Sequence, residues 1–168
     1  MKALLTTTAP VRERQKDSLL TTQKIVHLEE KMFLPPRIPL LVAHNYDAER
    51  VIGSAKNLYV DRFGEHDMGL YGELEFINTK RGNHFKMLVE GGHVKGLSIG
   101  FSTLQSECVR PEEVVEYRGE KIYGPAVIAR VILLLEVSLT VNPADRRARV
   151  LLNPGDLEAA VNELPGYY

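Results

Sequence analysis

The chain has 168 residues, 44% hydrophobic and 26% charged, which fits one compact domain with a core and excludes a disordered or fibrous protein. Lys and Arg total 21 against 22 Asp and Glu, a net charge of -1, so no broad basic field exists for nucleic acid or an anionic membrane, and the expected partners are proteins or peptides. The single Cys108 excludes an internal disulfide framework and a cysteine-based zinc cluster and suits a reducing compartment such as the cytosol.

In chain order, Lys2 and the short apolar Ala3-Leu4-Leu5 are too brief for a secretory leader. Residues 1–30 are polar and weakly patterned and are expected to form an arm or edge element ahead of a single domain over 31–168. The longest apolar run, Val131 to Leu135, is five residues, against about 20 for a bilayer span. Pro35-Pro36 and Pro39 break any helix, and Ile38 to Ala43 reads as a short buried strand ending at His44. Asn57 to Val60 and the alternating Gly69 to Ile77, joined through the turn-rich Asp61 to Glu65, predict an antiparallel pair. A helix is expected over Phe85 to Glu90, opened by Asn78-Thr79 and stopped by a left-handed Gly91. Val94 to Phe101 and Ala126 to Val141 are β-branched and aliphatic strand segments, with a hairpin over Glu112 to Tyr123 between them. Asp156 is expected to cap a short final helix that stops at Pro165-Gly166. The fold class is mainly β with a few helices (α+β), a mostly antiparallel barrel or sandwich.

The candidate chemistry centres on Gly96-Leu97-Ser98-Ile99-Gly100-Phe101. All five histidines (His27, His44, His66, His84, His93) precede Ser98, which excludes the α/β-hydrolase order of serine, acid, then histidine. Strand parity puts Leu97, Ile99 and Phe101 on one face and Ser98, Gly100 and Ser102 on the other. In the second long strand, Val131, Leu133, Leu135, Val137, Leu139 and Val141 are expected to form one continuous face, leaving Glu136 with Ile132, Leu134, Ser138 and Thr140. A carboxylate in that company must be exposed, paired or hydrogen-bonded, and a histidine partner would meet the need. Gly96 and Gly100 leave room for a substrate strand and for N–H groups aimed at an oxyanion. Each candidate has a plainer reading: Ser98 as a structural serine, His44 as a solvated loop histidine, Glu136 as a surface residue or a partner of Arg130. Among rivals, His93 lies five residues from Ser98, an odd offset that faces it away, and reads as a turn histidine. Ser138 reads as a cross-strand hydrogen-bonding residue and Cys108 as an incidental thiol. His84 has no metal-like spacing to His93 or Cys108, so no metal is expected.

Taken together, the Ser98 motif, Leu135-Glu136-Val137-Ser138-Leu139, Asn142-Pro143-Ala144-Asp145 followed by Ala148, and His44 followed by Ile52-Gly53 resemble the prohead (capsid maturation) serine proteases of tailed bacteriophages. The resemblance spans roughly His44 to Val150, and that family is remotely similar to herpesvirus assemblin. It implies an antiparallel β-barrel of that type, with Ser98 as nucleophile, His44 as general base and Glu136 as the third member. It further implies, weakly, an oxyanion or substrate role for Gly100 and for Arg146-Arg147, and no cofactor. Asp145 departs from the asparagine more usual there, a change between two residues that both suit turns. The implied function is a serine endopeptidase in the host cytoplasm, within the viral procapsid, cutting scaffold, the N-terminal arm of the major capsid protein, and itself. Assemblin relatives dimerise, so a homodimer is implied as well. The alternatives are a non-catalytic β-barrel scaffold or assembly module on the same fold, and a small esterase, which the histidine order disfavours.

Overall fold

A computed structural model describes residues 1–14 and 21–163. Among the described residues strand makes up 51% beside two α-helices, so the protein is mainly β within the α+β class. The longest strand, β10 (Ala126–Leu139), organises the rest. Antiparallel to it along nearly its whole length lies β7 (Leu97–Val109), joined through the hairpin β8 (Val114–Tyr117) and β9 (Glu120–Tyr123). On the other edge of β10 two strands pair end to end and in parallel: β3 (Thr21–Val26) with Ala126 to Ala129, and β4 (Arg37–Val42) with Val137 to Leu139. From β4 the sheet continues antiparallel through β5 (Gly53–Phe63), β6 (Asp67–Phe76) and β1 (Lys2–Thr7) to β11 (Arg149–Val150), while β2 (Val11–Arg14) ends the path beside β3.

Among the described residues no closed barrel is found. The start of β7 meets β11 through an isolated Gly96–Arg149 bridge. Hydrogen bonds from Leu97 N to Ala148 O (3.0 Å) and from Val150 N to Lys95 O (2.9 Å) flank it.

The stretch read as an arm or edge element divides. β1 lies inside the sheet between β11 and β6, with Leu4 and Leu5 both fully buried, and β2 sits at the sheet's end. Adjacent leucines on one strand are both buried because the strand is covered on both sides. Leu5 joins the main core, whereas Leu4 packs with Phe63, Tyr71 and Ala160 of the last helix. A register shift between Leu4 and Thr6 accommodates the pair. That two-sided cover removes the alternation by which a half-buried strand is read from sequence. Residues 15–20 and the Pro165-Gly166 stop lie outside the described residues.

The helices start where their caps put them. Helix α1 (Lys80–Glu90) begins after Thr79, whose hydroxyl accepts from Gly82 N at 3.0 Å. Gly91 keeps right-handed angles (φ -76), and the left-handed residue is Gly92 (φ 74), one position later than expected. Helix α2 (Pro154–Val161) begins two residues before Asp156. The cap is Asn153, and Asp156 Oδ2 accepts from the backbone N–H groups of Leu152 (2.7 Å) and Asn153 (2.9 Å). Lys95 Nζ adds a 2.9 Å ion pair to Oδ1.

The continuous aliphatic face expected along β10 breaks in the middle. Leu134 is opposite Phe101 and Glu136 is opposite Gly100, so Leu135 is an extra residue, a β-bulge. Before the bulge Ile132 and Leu134 enter the core, and after it Val137 and Leu139 do. The inserted residue exchanges the two faces. Val131, Leu133 and Leu135 are exposed, and Glu136 and Ser138 share a face with Gly100 and Ser98 rather than with Leu134.

Candidate active site

Three segments meet around Glu136: β10, β7 and the turn after β4. The bulge aims its side chain at the face occupied by Gly100, its cross-strand partner. A Cβ built on Gly100 would overlap Glu136 Oε1 and stand 2.7 Å from the Tyr46 hydroxyl, so the glycine makes room for the carboxylate. At Gly96 the same construction meets Thr140 O at 2.5 Å. At both glycines the place of a side chain is thus taken by neighbouring atoms of the protein.

His44 arrives from the end of β4. Ala43 N–H still bonds Leu139 O at 3.0 Å, and then Ala43 (φ 50) and His44 (φ 55) both take left-handed angles. Such a conformation costs about 1–2 kcal/mol per non-glycine residue, and the surrounding bonds must hold it. The turn folds the imidazole back over β10. His44 Nδ1 lies 2.6 Å from Glu136 Oε1, with the imidazole 41% exposed and the carboxylate fully buried. Ser138 Oγ–H donates to Glu136 Oε2 at 2.7 Å and accepts from the His44 backbone N–H at 3.0 Å. Both carboxylate oxygens therefore have a partner, which is what a buried carboxylate requires. An ionised carboxylate only accepts, so Nδ1 is the donor of this bond, and in the neutral imidazole the lone pair is then at Nε2. Desolvation, and after it the charge of Glu136, pushes the Tyr46 hydroxyl above its ordinary pKa.

Ser98 is the cross-strand partner of Ser138. Opposed residues in an antiparallel pair stand about 4.5–5.5 Å apart at Cβ and share a face, which sets Ser98 beside the residue that anchors His44. Both Ser98 and His44 line one cavity of about 210 Å³. Its walls include Leu5, Thr7 and Ala9 near the N-terminus, Lys24 and Val26 of β3, Ile99 and Phe101 of β7, and Asp145. Lys24 Nζ stands 5.0 Å from the Phe101 ring centroid. Asp145 is buried and bonded to Thr7 N (2.8 Å), Thr7 Oγ1 (2.7 Å) and Arg147 N (3.0 Å).

The structure therefore brings His44, Glu136, Ser138 and Gly100 into one cluster, with Ser98 next to it. It separates the other candidates. Arg147 NH1 lies 3.6 Å from Asp145 in the cavity wall, whereas Arg146 lines a neighbouring cleft with Lys95, Gly96 and Arg149. His93 is exposed in the turn after α1, where strand parity does not apply. Cys108 is exposed on β7, and Arg130 pairs with Glu107 rather than Glu136. Ser138, read from sequence as a cross-strand hydrogen-bonding residue, bonds Glu136 on its own strand and the His44 backbone. The cavity wall from β1 was missed from sequence, because Thr6 and Thr7 read as part of a polar arm.

No curated protein and no solved structure gives a match to the chain. A family model described as caudovirus prohead serine protease matches residues 24–161 of the 168, a span that takes in His44, Ser98 and Glu136. The chain belongs to the caudovirus prohead serine protease family.

Proposed function

We propose that the protein is the serine endopeptidase of capsid maturation in its phage, with Ser98 as nucleophile, His44 Nε2 as general base and Glu136 as the group that orients the imidazole. The observation that carries this reading is the 2.6 Å contact between His44 Nδ1 and the buried Glu136, beside the cross-strand position of Ser98. Ser98 Oγ attacks the scissile carbonyl carbon and passes its proton to Nε2. The imidazolium, held against Glu136, returns that proton to the leaving amine, and a water deprotonated by Nε2 then releases the acyl group. Glu136 fixes the tautomer and stabilises the transient imidazolium without taking the proton.

The substrates are the scaffold and the N-terminal arm of the major capsid protein inside the procapsid, and the protease cuts itself as well. The cavity beside Ser98 receives a substrate side chain. Arg147, tied to the cavity wall through Asp145, is the better placed of the two arginines for the oxyanion role that the resemblance gives this stretch. The near-closure of the sheet through Gly96 and Arg149 supports a barrel of the assemblin type, and the enzyme works as a homodimer.

Purified protein incubated with its capsid and scaffold precursors, beside a Ser98→Ala variant, tests the reading. Cleavage is expected to fall on the order of 10⁴-fold or more in the variant. Equal cleavage by both proteins removes Ser98 from the mechanism.

A further inference from the structure

We propose that Ser138 is a positioning residue of the same site, a clamp that fixes both the acid and the backbone of the base; the proposal rests on the protease reading for its catalytic consequence. Its hydroxyl has one proton, and a carboxylate and a backbone N–H leave no choice in how it is used. Toward Glu136 Oε2 the hydroxyl must donate (2.7 Å), and toward His44 N–H it must accept (3.0 Å). The rotor is thereby fixed in a site with no exposed surface at either Ser138 or Glu136.

Each bond answers a particular weakness. Glu136 sits just after a bulge, where the ladder is locally disrupted and the strand bends. With Oε2 held by Ser138, Oε1 stays aimed at Nδ1. His44 follows Ala43 in a left-handed turn, a conformation its side chain disfavours, and the bond from its N–H to Ser138 ties that turn to β10. Ser138 is also the cross-strand partner of Ser98, so the residue that holds acid and base together stands opposite the candidate nucleophile in the ladder. It does not touch the scissile bond. Its effect passes through His44 and Glu136.

The test uses the whole chain with two readouts. Ser138→Ala is expected to lower kcat on the capsid precursor about 10- to 100-fold, the usual cost of loosening the support of a catalytic group, with KM unchanged. Independently of activity, the proton of the Nδ1–H to Glu136 bond gives a low-field NMR resonance, assigned by its disappearance in His44→Gln. That resonance is expected in the wild type and in Ser98→Ala and is expected to be lost or broadened in Ser138→Ala. Should the alanine variant fail to fold, Ser138→Cys, nearly isosteric with a weak donor, is read in the same two ways. A resonance that persists in the Ser138 variant, or is absent from the wild type, overturns the proposal whatever the rate, as does kcat within twofold of wild type. If the wild type cleaves neither precursor, the protease reading fails and the resonance alone decides the clamp.

Discussion

At the scale of single residues, the site depends as much on what is missing as on what is present. Gly100 faces Glu136 across the bulge, and even a methyl group there would overlap Oε1. Gly100 has no left-handed φ, so the backbone tolerates alanine, whose nearest clashes are with the carboxylate and the Tyr46 hydroxyl. Gly100→Ala is therefore expected to leave a folded protein in which Glu136 is displaced from His44. The second-order rate of Ser98 labelling by a fluorophosphonate should fall on the order of 10²-fold, the penalty for misplacing a catalytic group by about 1 Å. Labelling at the wild-type rate with an unchanged melting temperature would show that the carboxylate needs no such room.

At the scale of elements, strands and helices bounded by turn and cap residues were legible, and the first strand and the break in β10 were not. The β5–β6 pair, the first part of β7, the β8–β9 hairpin and α1 follow from alternation, turn residues and caps, whereas the polar stretch from Ser102 to Val109 was not read as strand. The break in β10 does not follow from them, because a bulge leaves the letters alternating while the faces exchange, and nothing in Leu134-Leu135-Glu136 marks which residue is extra. Ser98 stands on a strand and His44 just past a strand end, as the sequence places them, whereas the environment of Glu136 was misassigned with the parity of its strand. The start of α2 was misplaced for a related reason: Asp156 bonds the helix N-terminus from its third position as well as a capping residue would from outside. Burial pushes the Asp156 carboxyl up, but the Lys95 ammonium and the N–H groups of Asn153 and Leu152 outweigh it and hold it below its ordinary value. Such a group stabilises the fold fully above its unfolded pKa, and that contribution is lost as pH falls through the lower folded value. Asp156→Asn is expected to cost about 1–2 kcal/mol in urea unfolding at pH 7. The gap between variant and wild type should close as the medium becomes acidic enough to protonate the native carboxyl, and a gap that widens with acid would reverse the assignment.

At the scale of the whole molecule, the candidate site is assembled from segments far apart in sequence, and the N-terminal strand is one of its walls. Leu5 and Thr7 line the cavity that Ser98 and His44 share, and Thr7 binds Asp145 through both its N–H and its hydroxyl. Asp145 in turn accepts from Arg147 N, in the turn that precedes β11. Since β11 pairs with β1 and touches the start of β7, the Thr7–Asp145 contact ties the first strand to the near-closed seam of the sheet. A buried carboxylate deprived of a donor loses about 1–3 kcal/mol, a large share of the roughly 5–15 kcal/mol by which a domain is stable. Thr7→Val keeps the shape and the backbone donor and removes only the hydroxyl, so it should destabilise by that amount while leaving the strand in place. Asp145→Asn removes the charge that the hydroxyl serves, and in the double variant the two losses should sum to less than their separate costs, with a coupling above about 0.5 kcal/mol as expected for groups in contact. Strict additivity in urea unfolding would mean that the first strand and the Asp145 turn are held independently, and that the cavity wall does not depend on their bond.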